Sequence, residues 1–115
     1  MHKSNTLLQL ITDYCSALQN VNQEFPFGND VLVFKTAGKM FALLHLADPL
    51  RLNLKCDPLY AQLIRDKFES VTPGYHMNKK HWNTIHLDGT VEKEQIFEWI
   101  LDSYNLVARK KNNAP

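Results

Sequence analysis

The stretch from Leu50 to Cys56 alternates strictly between apolar and polar side chains. Successive side chains of a β-strand point to opposite faces of its sheet, so one face of this strand enters a core while the other meets water. Such a strand is typical of an antiparallel sheet that helices cover on a single side. The apolar face comprises Leu50, Leu52, Leu54 and Cys56, and the polar face comprises Arg51, Asn53 and Lys55.

Further strands are predicted on both sides of this one. Val31–Thr36 and Lys39–Leu46 are rich in β-forming residues, and Ala37-Gly38 between them predicts a tight hairpin turn. Asn22–Asn29 predicts an edge strand or extended loop, and Thr72–Tyr75 an irregular segment or short strand. Trp82–Leu87 is a second alternating strand, with Ile85 and Leu87 opposite Trp82, Thr84 and His86.

Three segments show helical periodicity. Ser4–Leu18 repeats apolar residues at intervals of three and four, and Asp57-Pro58 predicts the capped start of a second helix that ends near Phe68. A final helix is predicted over Val91–Ala108. The inward residues are predicted to be Leu59, Leu63, Ile64 and Phe68 in the second helix and Ile96, Trp99, Ile100, Tyr104 and Val107 in the third.

The order α-β-β-β-β-α-β-α lacks regular βαβ alternation, and it predicts a two-layer α+β domain with helices packed on one face of an antiparallel sheet. The 115 residues suit a single domain over residues 1–108, followed by a basic, flexible tail over residues 109–115.

No apolar run approaches the roughly 20 residues of a membrane helix, and no signal-peptide core is complete, so we expect a cytoplasmic protein. We expect Cys15 and Cys56 to be buried free thiols.

The sequence contains no Gly-rich phosphate loop, no nucleophile elbow and no His-Glu metalloprotease motif. We therefore expect a non-enzymatic protein without a cofactor. His76, His81 and His86 invite a metal hypothesis, but their five-residue spacing fits no single helix or strand face. We interpret them as polar or packing histidines and expect no metal site.

The formal net charge of +1 hides an uneven distribution. Residues 35–80 contain eight Lys or Arg and four Asp or Glu, whereas residues 81–108 carry a net charge of −4. Glu94, Glu98 and Asp102 form an acidic stripe on the last predicted helix, which we interpret as a solvated outer face or a surface for a cation or basic partner.

The basic segments include aromatic residues, as expected of a surface that binds phosphates and stacks bases. An alternative is an ordinary solvated open sheet, with Trp82 anchoring the irregular segment before it into the core. The candidate DNA-binding residues are Lys35, Lys39, Arg51, Lys55, Asn78, Lys79, Lys80, His81 and Trp82.

The run from Thr72 to Thr84, TPGYHMNKKHWNT, resembles the MmcQ/YjbR family. Shorter matches occur in the family's order and extend the resemblance over about Leu7 to Val107. These matches are Pro26-Phe27-Gly28, Val33-Phe34-Lys35, Gly38-Lys39-Met40-Phe41-Ala42, Asn53-Leu54-Lys55-Cys56 and Asp88-Gly89.

The resemblance implies a compact domain of the CyaY-like type, which is also compared with secretion chaperones. Members are commonly labelled DNA-binding proteins, with a double-wing arrangement proposed to contact DNA. Carried to this sequence, the resemblance implicates the segment Lys79–Trp82 together with Lys35 and Lys39 at the hairpin.

These observations predict a protein that contacts mainly DNA phosphates, with low sequence specificity, because no base-reading recognition helix is visible. One alternative is a protein-interaction, chaperone-like module that uses the open sheet or the acidic C-terminal helix. A metal-binding domain is a third alternative.

Overall fold

The computed structural model describes the backbone of residues 3–112 and the side chains of residues 6–108. Its helices are α1 (Lys3–Ala17), α2 (Pro58–Lys67) and α3 (Lys93–Asn112). Its strands are β1 (Val21–Glu24), β2 (Val31–Thr36), β3 (Lys39–His45), β4 (Arg51–Lys55), β5 (Val71–Pro73) and β6 (Trp82–His86).

The six strands form one antiparallel sheet in the order β1-β2-β3-β4-β6-β5. The predicted hairpin is confirmed: Ala37 (φ 55°) and Gly38 (φ 77°) form the two-residue turn between β2 and β3. Positive φ at both central residues matches the twist of the flanking strands. Pro26 and Gly28 fall after β1, in a loop that joins it to β2.

All three helices pack on one face of the sheet, and the predicted α+β class is confirmed. Ile11 and Cys15 of α1 and Ile96 and Ile100 of α3 are buried in the main core. There they meet one side of the strands, including Leu52.

No helix within residues 3–112 is both long and apolar enough to cross a membrane.

The prediction for α2 is wrong in part. Leu59 is 73% exposed and Leu63 is 56% exposed, whereas Ala61 and Ile64 are buried. Residues three and four apart share a helix face, so Ala61, Ile64 and the partly buried Phe68 form the inward stripe. Leu59 and Leu63 lie one turn apart on the outward side. The small side chain of Ala61 gave no signal of this orientation in the sequence.

The last helix extends beyond its predicted end at Ala108, since the backbone is helical to Asn112. Residues 113–115 of the predicted tail lie outside the described residues. The flexibility assigned to residues 109–115 stays a prediction.

Ser103 links α3 to an irregularity in the sheet. The register between β2 and β3 shifts after Phe34, which leaves Phe41 as an extra residue in β3. The buried Ser103 hydroxyl donates to the Phe41 carbonyl oxygen at 2.6 Å and accepts from the Lys55 backbone N–H at 2.9 Å. One side chain therefore satisfies backbone groups of two strands, because the bulge interrupts the regular ladder.

Replacing Ser103 by Ala leaves both backbone groups buried without this partner. We expect Ser103→Ala to lower the free energy of unfolding by about 1–3 kcal/mol, measured by urea denaturation. Asn105→Ala, at an exposed position of the same helix, is the control and is expected to change it by less than about 0.5 kcal/mol. Equal stability of the two variants would contradict the bridging role of Ser103.

Candidate nucleic-acid interface

The sheet face that carries no helix is called here the outer face. Across the middle of this face, the strand register aligns five side chains on neighbouring strands, those of Val33, Leu43, Asn53, Thr84 and Thr72. The strict alternation of β4 holds, but the expectation that its polar side meets water is wrong at one position. Asn53 is only 1% exposed, and its side-chain oxygen accepts a 2.6 Å hydrogen bond from the hydroxyl of the equally buried Thr84.

A second, small hydrophobic cluster explains this burial. Val33, Leu43 and Trp82 form it on the outer face, and Met40 and Met77 pack against it. Met77 belongs to the segment Gly74–His81, called here the covering loop, which joins β5 to β6. The prediction of an uncovered sheet face is therefore corrected: the covering loop shields part of it.

Trp82 lies beneath the covering loop and does not face solvent. It is 8% exposed, so the prediction that Trp82 is available to stack bases is wrong. Trp82 anchors the loop instead, in the small cluster on the outer face and not in the main core. Thr84 is buried in the same way, whereas His86 is half-buried. The indole packs against Val33 and Leu43 and covers apolar surface that would otherwise be exposed to water.

Gly74 allows the covering loop to approach this closely. A Cβ atom on Gly74 would lie 2.7 Å from the Cβ atom of Trp82 and 3.1 Å from that of Met77, both inside normal contact. The Gly74 N–H donates to the Trp82 carbonyl oxygen at 2.8 Å. The Gly74 carbonyl oxygen accepts from the Met77 N–H at 3.2 Å and from Lys79 Nζ at 3.0 Å.

Most of the predicted cations converge on one end of the sheet, called here the hairpin end. Lys35 and Lys39 flank the β2–β3 turn, and Lys55 pairs in register with Trp82, which directly follows the covering loop. From β2 to β6 this end spans three strand spacings, or about 14 Å. The hairpin end comprises Lys35, Lys39, Lys55, Lys79 and Lys80.

The lysines of the hairpin end differ in their partners. Lys35 Nζ lies 3.1 Å from Glu24 Oε1, and Lys79 is held by the Gly74 carbonyl oxygen. Lys39 and Lys80 are exposed, and neither forms an ion pair with a carboxylate of residues 6–108. These two ammonium groups are therefore the most available to a phosphate.

Asn78 and His81 shape the covering loop. The Asn78 side-chain oxygen accepts from the Lys80 N–H at 2.9 Å, and the Asn78 carbonyl oxygen accepts from the His81 N–H at 3.2 Å. The His81 carbonyl oxygen accepts from the Cys56 N–H at 2.7 Å. These bonds fix the turn that presents Lys79 and Lys80, so Asn78 and His81 position the cations.

Arg51 is separated from the other predicted cations. It begins β4 and Lys55 ends it, so their Cα atoms lie about 13 Å apart. The Arg51 guanidinium carbon lies 5.3 Å from the centre of the Tyr75 ring. The sequence placed Arg51 and Lys55 in one site because they share a face, but it did not show that they occupy opposite ends of a strand.

The acidic stripe on α3 is a solvated face. Glu94, Glu98 and Asp102 are exposed, and Lys93 pairs with Glu94. Partial burial, together with the nearby charge of Glu98, raises the pKa of Asp102. Among the described residues, no group of three His, Cys, Asp or Glu side chains is placed to hold a metal ion.

Both cysteines are buried free thiols, as predicted. Burial raises the pKa of Cys15 to about 12 and that of Cys56 to about 11. The charge of Asp102 adds to the effect on Cys56. A thiol reacts as its thiolate, so neither cysteine has the character of a nucleophile near neutral pH.

The fold and this site define a small α+β domain whose antiparallel sheet carries helices on one face and, on the other, a covering loop beside a cluster of lysines. The chain belongs to the YjbR family, whose model matches residues 16–106. The resemblance identified from the sequence is thereby confirmed.

Individual relatives agree with this assignment. The chain is 30% identical to YjbR of Escherichia coli K12 over 111 residues, which cover 92% of this chain and 93% of that protein. It is 40% identical to YbdF of Escherichia coli O157:H7 over 87 residues, which cover 72% of this chain and 69% of YbdF.

The fold is similar to that in the crystal structure of the Deinococcus radiodurans protein DR2400, which is described as a DUF419 domain. The TM-score is 0.82 at 41% identity, and the match covers 90% of this chain and 80% of that one.

Gly74 provides a test of the covering loop. We expect Gly74→Ala to lower the free energy of unfolding by about 1–3 kcal/mol, because the new methyl group displaces the backbone from Trp82. Urea denaturation followed by tryptophan fluorescence measures the effect. A loss smaller than about 0.5 kcal/mol would contradict the close packing of this loop.

The thiols provide a second test. We expect Cys56 in the folded protein to react with a disulfide reagent much more slowly than in denaturant, by roughly 100-fold, because burial raises its pKa to about 11 and shields the sulfur from the reagent. Absorbance of the released thiolate at mildly alkaline pH measures both rates. Equal rates in the two conditions would show that the site is open to solvent.

Proposed function

We propose that this is a non-enzymatic, cytoplasmic DNA-binding protein that contacts phosphates through the hairpin end of its sheet. The observation that carries the proposal is the convergence of five lysines from three separate segments, the β2–β3 hairpin, the end of β4 and the covering loop. Clustered lysines bind a phosphate backbone by releasing its condensed counterions. The implied double-wing arrangement agrees with two projecting segments.

The geometry supports phosphate contacts more than base contacts. The cations span about 14 Å, close to the width of about 12 Å of the major groove of B-DNA. The helices pack on the opposite face of the sheet from the covering loop. Trp82 is buried and unavailable for stacking. Low sequence specificity follows, because phosphate contacts carry no direct sequence information.

Fluorescence anisotropy with labelled duplex DNA at several salt concentrations tests the proposal. We expect Lys39→Ala with Lys80→Ala to weaken binding equally for unrelated duplex sequences. The salt dependence is the slope of the logarithm of the binding constant plotted against the logarithm of the salt concentration. We expect this slope to become less steep by about 1.8, because each phosphate that the variant no longer neutralises contributes about 0.9. Both lysines are exposed, so the fold should be unchanged.

The matched control removes two exposed lysines of the helix layer, with Lys67→Ala and Lys93→Ala. It makes the same change in net charge away from the hairpin end, so we expect it to retain the wild-type slope. Equal weakening in the two double variants would place the contact elsewhere. Absence of binding by the wild type at low salt would reject DNA binding.

The alternative of a protein-interaction module is favoured by one observation, and it concerns α2 instead of the open sheet or the acidic helix. Leu59, Tyr60 and Leu63 are all exposed on this helix. Exposed apolar groups that adjoin on a surface are typical of protein contacts. Leu59→Asp with Leu63→Asp should abolish capture of such a partner, whereas Lys39→Ala with Lys80→Ala should not. Equal capture by all these variants would reject this surface.

A further inference from the structure

A group of cationic and imidazole side chains lies at the end of the outer face opposite the hairpin end. The strand register places His45, Arg51 and His86 side by side on β3, β4 and β6. Neighbouring side chains on adjacent antiparallel strands lie about 5 Å apart. His76, in the covering loop, is close enough to act electrostatically on His45. These four residues are called here the arginine–histidine cluster.

A pocket opens beside this cluster. Its volume is about 360 Å³, and Arg51, Thr72, Tyr75 and His86 line it between Pro49 and Pro73. A volume of a few hundred cubic ångströms is within the range of small-ligand sites. The pocket lies over the sheet surface between the start of β4 and the first residues of the covering loop.

The surroundings of Arg51 hold its guanidinium in one orientation. Arg51 Nη1 donates to the Pro49 carbonyl oxygen at 2.9 Å, and the guanidinium carbon lies over the Tyr75 ring. Arg51 Nε is buried and has no hydrogen-bond partner among the described residues. The Nε–H is therefore a donor that the described residues leave unpaired, and Arg51 also lines the pocket. An arginine can bind carboxylates and phosphates with two parallel bonds.

A second buried polar atom in the cluster also lacks a partner. His45 Nε2 forms no hydrogen bond within the described part of the chain. His86, by contrast, is oriented by a 3.1 Å hydrogen bond between Nε2 and the Thr72 hydroxyl. Buried polar groups in folded proteins nearly always have a partner, and a pair of unsatisfied nitrogens on adjacent strands points to a ligand that supplies acceptors.

No side chain of the cluster forms an ion pair with a carboxylate of residues 6–108. The ion pairs formed by side chains of residues 6–108 are Lys35–Glu24 and Lys93–Glu94, and neither involves Arg51. Burial, followed by the charges of Arg51 and His76, lowers the pKa of His45. A bound anion would reverse the effect of these two charges, because it stabilises the imidazolium form.

We propose that the arginine–histidine cluster is a binding site for a divalent oxyanion, namely the phosphate group of a phosphate monoester. Arg51 Nε and His45 Nε2 donate to its oxygens, and Tyr75 holds the guanidinium in the binding orientation. The ester group extends into the pocket toward Thr72 and His86. This site does not depend on the proposed DNA contact, since the two groups of cations lie at opposite ends of the outer face.

Titration with inorganic sulfate, followed by the NMR signals of Arg51 Nε–H and the His45 ring, tests the site. Sulfate is the probe because it keeps its double negative charge across the neutral pH range. We expect saturable shifts confined to the cluster, and we expect Arg51→Gln to weaken binding by roughly tenfold or more. Arg65→Gln, which removes the same charge from α2, is the matched control and should bind as the wild type does.

The pH dependence of sulfate binding follows from the His45 ring. The charges of Arg51 on β4 and His76 in the covering loop both act on the pKa of this ring. The pKa of His45 in the free protein is lowered, so the ring is neutral at pH 7 and its protonation on binding takes up a proton. We expect sulfate to bind more tightly as the pH falls from about 8 to about 6. His45→Asn should remove most of this dependence while retaining binding through Arg51.

Competition against sulfate identifies the source of the phosphate. A nucleoside monophosphate and a short DNA strand with a 5′-phosphate are compared with the same strand ending in a 5′-hydroxyl. Displacement by the monophosphate assigns a small ester. Displacement by the phosphorylated strand alone assigns a nucleic-acid end. If neither competitor displaces sulfate, the phosphate assignment is overturned.

Two further results would overturn the proposal. One is the absence of saturable shifts in the wild type, and the other is equal sulfate binding by Arg51→Gln and Arg65→Gln. Lys39→Ala with Lys80→Ala should retain sulfate binding whether or not it loses DNA binding. Failure at one site is thereby distinguished from failure at the other.

Discussion

The packing of Trp82 beneath the covering loop supports both proposed sites. The indole gives the loop an apolar surface to rest on, and Gly74 lets the two backbones approach closely enough to form a hydrogen bond. One end of the loop then presents Lys79 and Lys80, and the other carries Tyr75, whose ring holds Arg51. A single apolar contact thus orders polar groups at two separated ends of one sheet face.

Sequence periodicity predicted the sheet well because most strands have clear local signals. The alternation of β4 and the Ala37-Gly38 turn each depend on a few adjacent residues, so their strands and the hairpin could be placed without knowledge of tertiary contacts. The orientation of α2 could not be placed in this way. It depends on which face of the helix meets β5 and β6, and the residue that reveals this face beside Ile64 is the small Ala61.

The candidate site was predictable in composition but not in arrangement. The lysines and the tryptophan could be singled out from the sequence, yet the burial of Asn53 and Trp82 results from the covering loop, which folds back over the outer face from the β5 edge. Arg51 and Lys55 share one face of β4, but they lie at opposite ends of the strand. His45 gave no signal in the sequence, because its significance depends on strand register.

The two edge strands determine how the sheet can meet other molecules. β1 has four residues, three of which expose polar side chains, and β5 has three residues and ends at Pro73, which has no N–H to donate. Short, polar or proline-ended edges resist pairing with an additional strand. Growth of this sheet by edge-to-edge association, the first step toward ordered aggregates, is therefore disfavoured by the same short β5 from which the covering loop departs.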